Sequence, residues 1–175
     1  MKVYKPSEDT YFLRDFLKDN IELEGKKLLE IGTGNGEIAI DAAERGAEVT
    51  ATDINPEALE QVGEKAEQKG LEIDLEESDL FEDVEKEDYD VVVFNPPYLP
   101  GDNGVGAEEI WLGGETGVEL SEEFLKEVEA YLSGHGRFFI VASSLADFRS
   151  LTENFRISIL DEKKLWFETL YILGK

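Results

Sequence analysis

The chain has no cysteine, one histidine and one methionine in 175 residues. Without cysteine there are no disulfides, no thiolate metal ligands and no thiol nucleophile. The lone histidine lies in Ser133-Gly134-His135-Gly136, which reads as a turn, so neither a histidine metal site nor a Ser/His/Asp triad is expected. No stretch approaches the roughly 20 apolar residues that span a bilayer. The N-terminus also lacks an apolar run behind a basic one, as a signal peptide would have. These shortages lead us to expect a cytoplasmic protein with no membrane segment. Basic residues are scarce too: 17 Lys and Arg stand against 41 Asp and Glu, for a net charge of −24. A field of that sign repels phosphate backbones, so autonomous nucleic-acid binding is not expected. It suits a solvated surface in a salty cytoplasm, and equally a basic protein partner.

What remains is enough for one domain over residues 1–175 with a real core, since 41% of the residues are hydrophobic. No internal repeat or low-complexity linker is evident. Residues 6–19 read as a helix within a short N-terminal element, 1–25. Pro6 suits its first turn, Ser7-Glu8-Asp9 places acceptors and negative charge there, and Tyr11, Phe12, Phe16 and Leu17 recur at helical spacing as core. Strands are then expected at 27–31, 48–53, 71–75, 89–94, 136–142, 156–160 and 165–173. Helices are expected at 37–44, 56–68, 119–132 and 145–155. Strands alternating with helices imply a mainly parallel sheet with helices on both faces. The last two strands have no helix between them, so they pair antiparallel around the charged turn 161–164. The 71–75 segment alternates like an edge strand, an available pairing edge. Phe138 and Phe139 read as core, and Trp166 and Tyr171 as sheet packing.

Four motifs fall at the carboxyl ends of expected strands, where such sheets bind ligands. The first is Leu29-Glu30-Ile31-Gly32-Thr33-Gly34-Asn35-Gly36, a strand breaking into a glycine turn and then a helix. Its G-x-G-x-G spacing differs from the dinucleotide fingerprint. The second is Asp53, able to accept two hydrogen bonds from the vicinal hydroxyls of a ribose, with Asn55 serving as the next helix cap. The third is Ser78-Asp79-Leu80-Phe81, where a carboxylate beside apolar residues can meet an aromatic base and its amine, although a solvated turn aspartate looks the same. The fourth is Asn95-Pro96-Pro97-Tyr98, after the most apolar strand. Two prolines stiffen this turn. The Asn95 side-chain oxygen and the Pro96 carbonyl can then face one planar NH₂ group, with Tyr98 stacked beside it. Residues 101–117 form a long glycine-rich segment, either a cover for a peptide or a plain connection.

These elements in this order resemble the class I S-adenosylmethionine-dependent methyltransferases, with a Rossmann-like, seven-stranded, mostly parallel sheet and an antiparallel C-terminal hairpin. Asn-Pro-Pro-Tyr is similar to the motif of the branches that methylate an sp² nitrogen. Tyr4-Lys5-Pro6-Ser7-Glu8-Asp9-Thr10 and Trp111-Leu112-Gly113-Gly114-Glu115-Thr116-Gly117 resemble segments of the archaeal and eukaryotic HemK-like branch, the release-factor glutamine N5-methyltransferases. The resemblance implies S-adenosyl-L-methionine as cofactor. Glu30, Gly32, Gly34 and Gly36 would then hold its methionine end, Asp53 its ribose, and Asp79 and Leu80 its adenine. It implies Asn95, Pro96 and Tyr98 as catalytic residues, with Pro97 and Trp111 joining Asn95 and Tyr98 on the substrate, and no metal. The substrate implied is the glutamine of the Gly-Gly-Gln motif in a class I peptide release factor, and the partner a small zinc-binding activator protein. The residues alone leave open a base amine of RNA or DNA, a protein lysine, or a non-catalytic scaffold that binds the same cofactor.

Overall fold

The computed structural model describes residues 3, 6–99 and 114–175. Its elements run α1 (Glu8–Asn20), β1 (Lys27–Ile31), α2 (Glu37–Glu44), β2 (Glu48–Asp53), α3 (Pro56–Lys69), β3 (Asp74–Glu77), β4 (Tyr89–Phe94), α4 (Glu119–Glu127), a 3₁₀ turn (Val128–Tyr131), β5 (Leu132–Ser143), α5 (Phe148–Phe155), β6 (Ser158–Lys164) and β7 (Thr169–Gly174). One seven-stranded sheet results, in the order β3-β2-β1-β4-β5-β7-β6. The first five strands pair parallel. β7 runs antiparallel to both β5 and β6. This is the Rossmann-like class I methyltransferase architecture. Among the described residues no helix is long and apolar enough to cross a membrane.

Period-two alternation builds the two faces. Leu28, Val91, Val93, Phe139 and Val141 point to one side, where Phe12, Leu13, Phe16 and Leu17 of α1 and Ile38, Ala39 and Ala42 of α2 cover them. Leu29, Val92, Phe94, Phe138 and Ile140 point to the other, under Phe124 and Leu125 of α4 and Leu151 of α5. Each of these side chains larger than alanine contributes roughly 1.5–3 kcal/mol by leaving water. Phe16 meets Phe139 edge-on at 5.3 Å, and Phe148 stacks on Tyr171 at 4.2 Å. The strand order reverses between β1 and β4, so their carboxyl ends diverge and leave a crevice.

The structure corrects several expected boundaries. The edge strand lies at Asp74–Glu77, not 71–75, because its partners are Thr50 to Asp53 of β2. The glycine-rich segment at His135 is not a turn between elements; it is a bulge inside β5. Tyr89 pairs with Leu132, but Val91 pairs with Arg137. Gly136 is required there, since a Cβ would sit 2.6 Å from the Tyr89 carbonyl oxygen. The expected 119–132 helix yields to the 3₁₀ turn after Glu127.

The C-terminal hairpin also turns later than expected. Asp161 to Lys164 belong to β6, whose side chains are almost all in water, and a two-sided solvated edge strand tolerates charge where a buried one does not. The turn falls at Leu165-Trp166-Phe167-Glu168, closed by the Leu165 amide donating to the Glu168 carbonyl at 2.8 Å. Trp166 is therefore not sheet packing: it is fully exposed, at 101%, and Phe167 is 73% exposed.

Candidate active site

The carboxyl ends of β1, β2, β3 and β4 open into a cleft of about 470 Å³. Glu30, Gly32, Gly34, Asp53, Asp79, Leu80, Asn95, Pro96, Pro97 and Tyr98 all line it. Gly36 does not line it, and Trp111 lies outside the described residues.

The glycine turn is braced from inside. Glu30, 4% exposed, accepts from Thr33 Oγ1 at 2.7 Å and from the Ala39 amide at 3.0 Å, both through Oε2. The carboxyl thus ties the end of β1 to the first turn of α2. Burial pushes its pKa up to about 8, against the lowering effect of those two donors. Gly32 and Gly36 both sit at positive φ, 63° and 79°. A Cβ on Gly32 would press on the Phe94 ring at 3.3 Å, and one on Gly36 would enter the Val62 side chain at 2.7 Å. Gly36 thus brings α2 against α3, while Gly32 lets the backbone pass close to the base of the cleft.

Asp53 links two elements of the cleft wall. Its Oδ2 accepts from the Gly34 amide at 2.8 Å and its Oδ1 from the Asn55 amide at 2.9 Å. Asn55 caps α3 by accepting from the Glu57 amide at 3.2 Å. Each carboxylate oxygen of Asp53 keeps a further lone pair for a donor in the cleft. Beyond β3, Leu80 takes a positive φ of 47°, a conformation that costs a branched residue about 1–3 kcal/mol. Ser78 holds it there, its hydroxyl donating to the Leu80 carbonyl at 3.1 Å and accepting from the Asp83 amide at 3.1 Å. That strain sets an apolar side chain and Asp79 on the cleft wall.

Across the cleft, Asn95 follows directly on β4. Its Nδ2 donates to Asp9 Oδ2 at 3.2 Å and to Thr10 Oγ1 at 3.4 Å. Its Oδ1 is buried with no hydrogen-bond partner. A buried amide oxygen without a donor is destabilising by about 1–3 kcal/mol, so this acceptor is an uncompensated polar group beside the cleft. Tyr98 packs on the Phe12/Phe16 side of the core.

Part of the cleft lining has no local mark in the sequence. Asp9 and Thr10 read there as a helix start, yet the Ser7 side chain makes no capping bond and α1 begins at Glu8. Asp9 instead faces Asn95, a contact between residues 86 positions apart that no local pattern reveals. Phe167 and Glu168, from the hairpin tip, also line the cleft. Glu168 accepts from Ser143 Oγ at 2.5 Å, and Lys163 pairs with Glu8 at 2.6 Å, so the hairpin is fastened over the opening.

A glycine turn braced by a buried acid, a carboxylate ending the second strand and an Asn-Pro-Pro-Tyr bend thus meet at the reversal of strand order in a class I methyltransferase fold. Residues 8–165 match the family described as "Methyltransferase small domain", and the chain belongs to that family. A Methanocaldococcus jannaschii protein provisionally named a protein N5-glutamine methyltransferase is 35% identical, over 99% of this chain and 91% of its own. The release factor glutamine methyltransferase of Streptococcus pneumoniae is 31% identical over 91% of this chain, which spans 50% of that protein's length. Among solved structures, the Thermus thermophilus 16S rRNA N2 G1207 methyltransferase, in complex with AdoMet and guanosine, shares the fold with a TM-score of 0.75 at 23% identity, covering 97% of this chain and 43% of that one.

Proposed function

We propose that the protein methylates the side-chain amide nitrogen of a protein glutamine, that of the Gly-Gly-Gln motif in a class I peptide release factor. The observation that carries this reading is the buried, unpartnered Asn95 Oδ1 at the end of β4. It calls for an N–H donor in the cleft, and a carboxamide supplies one of matching shape.

The donor set of the cleft fits S-adenosylmethionine, which when bound supplies an electrophilic methyl group on a sulfonium. Glu30 and the backbone at Gly32 and Gly34 would take its methionine end, Asp53 the ribose hydroxyls, and Asp79 and Leu80 the adenine. Gly36 shapes the turn through Val62 and is not among the residues that line the cleft.

An amide nitrogen is a poor nucleophile because its lone pair is shared with the carbonyl. To react, it must pyramidalise and gain positive charge. Asn95 Oδ1 and the Pro96 carbonyl, each accepting one N–H, favour that charged, tetrahedral nitrogen over the planar ground state. This is stabilisation of a transition state by acceptors already in place. Pro96 and Pro97 keep the two acceptors from rotating away, and Tyr98 packs beside the carboxamide. The excess proton leaves to water once the nitrogen is substituted.

The apolar hairpin tip at the rim, Trp166 and Phe167, supports a polypeptide substrate over a small one. The open edge of β3 is suited to a partner strand, and we assign it to the small zinc-binding activator of the HemK-like branch. Mass spectrometry of the release factor after incubation with S-adenosylmethionine, with and without that activator, tests the reading. A methyl group on the motif glutamine is expected. Methylation of total RNA or of lysine, with the glutamine untouched, would overturn it.

A further inference from the structure

We propose that Asp9 is a positioning residue for methyl transfer: it fixes the Asn95 amide in the one orientation that turns its oxygen toward the substrate. The inference rests on the reading of Asn95 Oδ1 as the acceptor for the substrate N–H.

A carboxamide has two nearly isosteric orientations, related by a half turn that exchanges oxygen and NH₂. Only one presents an acceptor to the cleft. Asp9 decides between them. Its side chain is 4% exposed, and burying a carboxyl in a chain of net charge −24 is costly unless it meets donors. Among the donors it meets are the Thr10 amide at 2.8 Å on Oδ1 and Asn95 Nδ2 at 3.2 Å on Oδ2. Carboxylate oxygens only accept, so the flipped amide would set oxygen against oxygen. Thr10 Oγ1 reinforces the choice by accepting from the same Nδ2 at 3.4 Å while donating to Asp9 Oδ1 at 3.4 Å. With both amide protons committed, Oδ1 is the atom left over.

The platform beneath Asp9 is fixed as well. Arg14 of α1 donates to Glu37 of α2 at 2.6 Å, and Lys163 of β6 holds Glu8 at 2.6 Å. Leu13 and Leu17 are fully buried against the sheet. The N-terminal helix is thereby part of the reacting site.

The test compares Asp9→Asn, Asn95→Asp and the Asp9→Asn/Asn95→Asp double variant in the full chain. An asparagine at 9 offers a donor, so the Asn95 oxygen turns to it and the NH₂ turns to the cleft. Asp9→Asn is expected to lower kcat on the release-factor glutamine about 100-fold, with KM and the S-adenosylmethionine Kd within about threefold of wild type. The double variant reverses the hydrogen bond, donor at 9 and acceptor at 95, and so returns an acceptor to the cleft. It is expected to regain about tenfold or more over Asp9→Asn. Activity of Asp9→Asn within about threefold of wild type, or a double variant no better than either single one, would overturn the proposal. A second readout needs no turnover: the Asn95 side-chain amide protons, assigned by their loss in Asn95→Ala. They should exchange slowly with water in the wild type and faster in Asp9→Asn; equal exchange overturns the positioning role. If the wild type methylates no glutamine, the substrate reading fails, while this exchange measurement still decides the role of Asp9.

Discussion

The Gly34 amide donates to Asp53 Oδ2 at 2.8 Å, joining the glycine turn after β1 to the end of β2. A backbone turn that carries one side of the cleft is thus oriented by the carboxylate that carries the next. Asp53→Ala removes both the ligand acceptor and this tie. Hydrogen bonds to charged groups contribute about 1.5–3 kcal/mol, so S-adenosylmethionine affinity should fall about 10- to 100-fold. Isothermal titration checks it, and unchanged affinity would remove Asp53 from the cofactor site.

Glu30 gives the protein a pH dependence of definite sign. Its folded pKa, about 8, lies above the ordinary 4.5. The folded state therefore holds the proton more tightly than the unfolded chain does. The stability this contributes is complete below pH 4.5 and is lost as pH rises toward 8. Within that window the slope approaches about 1.4 kcal/mol per pH unit. Urea midpoints across the window should fall more steeply for wild type than for Glu30→Gln. Identical slopes would show that Glu30 does not titrate there.

Gly36→Ala should destabilise the fold by about 1–3 kcal/mol, from a left-handed backbone and a Cβ driven into Val62. Adding Val62→Ala should relieve the contact but not the backbone strain, returning part of the loss. Thermal unfolding of the two variants separates these terms.

Trp166 and Phe167 contribute little to folding where they stand, since they are mostly in water. Trp166→Ala with Phe167→Ala should leave Tm within about 2 °C of wild type. KM for the intact release factor should rise about tenfold, while KM for a short glutamine peptide stays unchanged. An equal effect on both substrates would show that the tip serves the cleft itself and not the protein surface beyond it.

The strands were legible because the sheet buries both faces and its central members, 27–31 and 89–94, read as apolar runs. The expected cofactor and substrate positions from Glu30 to Tyr98 lie at or just after strand ends, so placing the strands brought all of them except Gly36 to the lining of one cleft. Edge elements were less legible. The first half of β6 was expected within 156–160, but its second half, Asp161 to Lys164, is charged and mostly in water, so no hydrophobic period marks it. The bulge at Ser133–Gly136 mimics a turn because glycine serves both. Asp9 stood in the Tyr4–Thr10 segment that carries the resemblance, but its pairing with Asn95 was not legible, because the packing of α1 on the sheet brings the two together.

The central claim is that Asn95 Oδ1 serves the transferred-to nitrogen and not the cofactor. Asn95→Ala, assayed by mass spectrometry of the release factor beside calorimetry of S-adenosylmethionine binding, tests it directly. The account predicts methyl transfer reduced at least about 100-fold, with cofactor affinity nearly intact. Loss of cofactor binding with transfer preserved at saturating S-adenosylmethionine would contradict it.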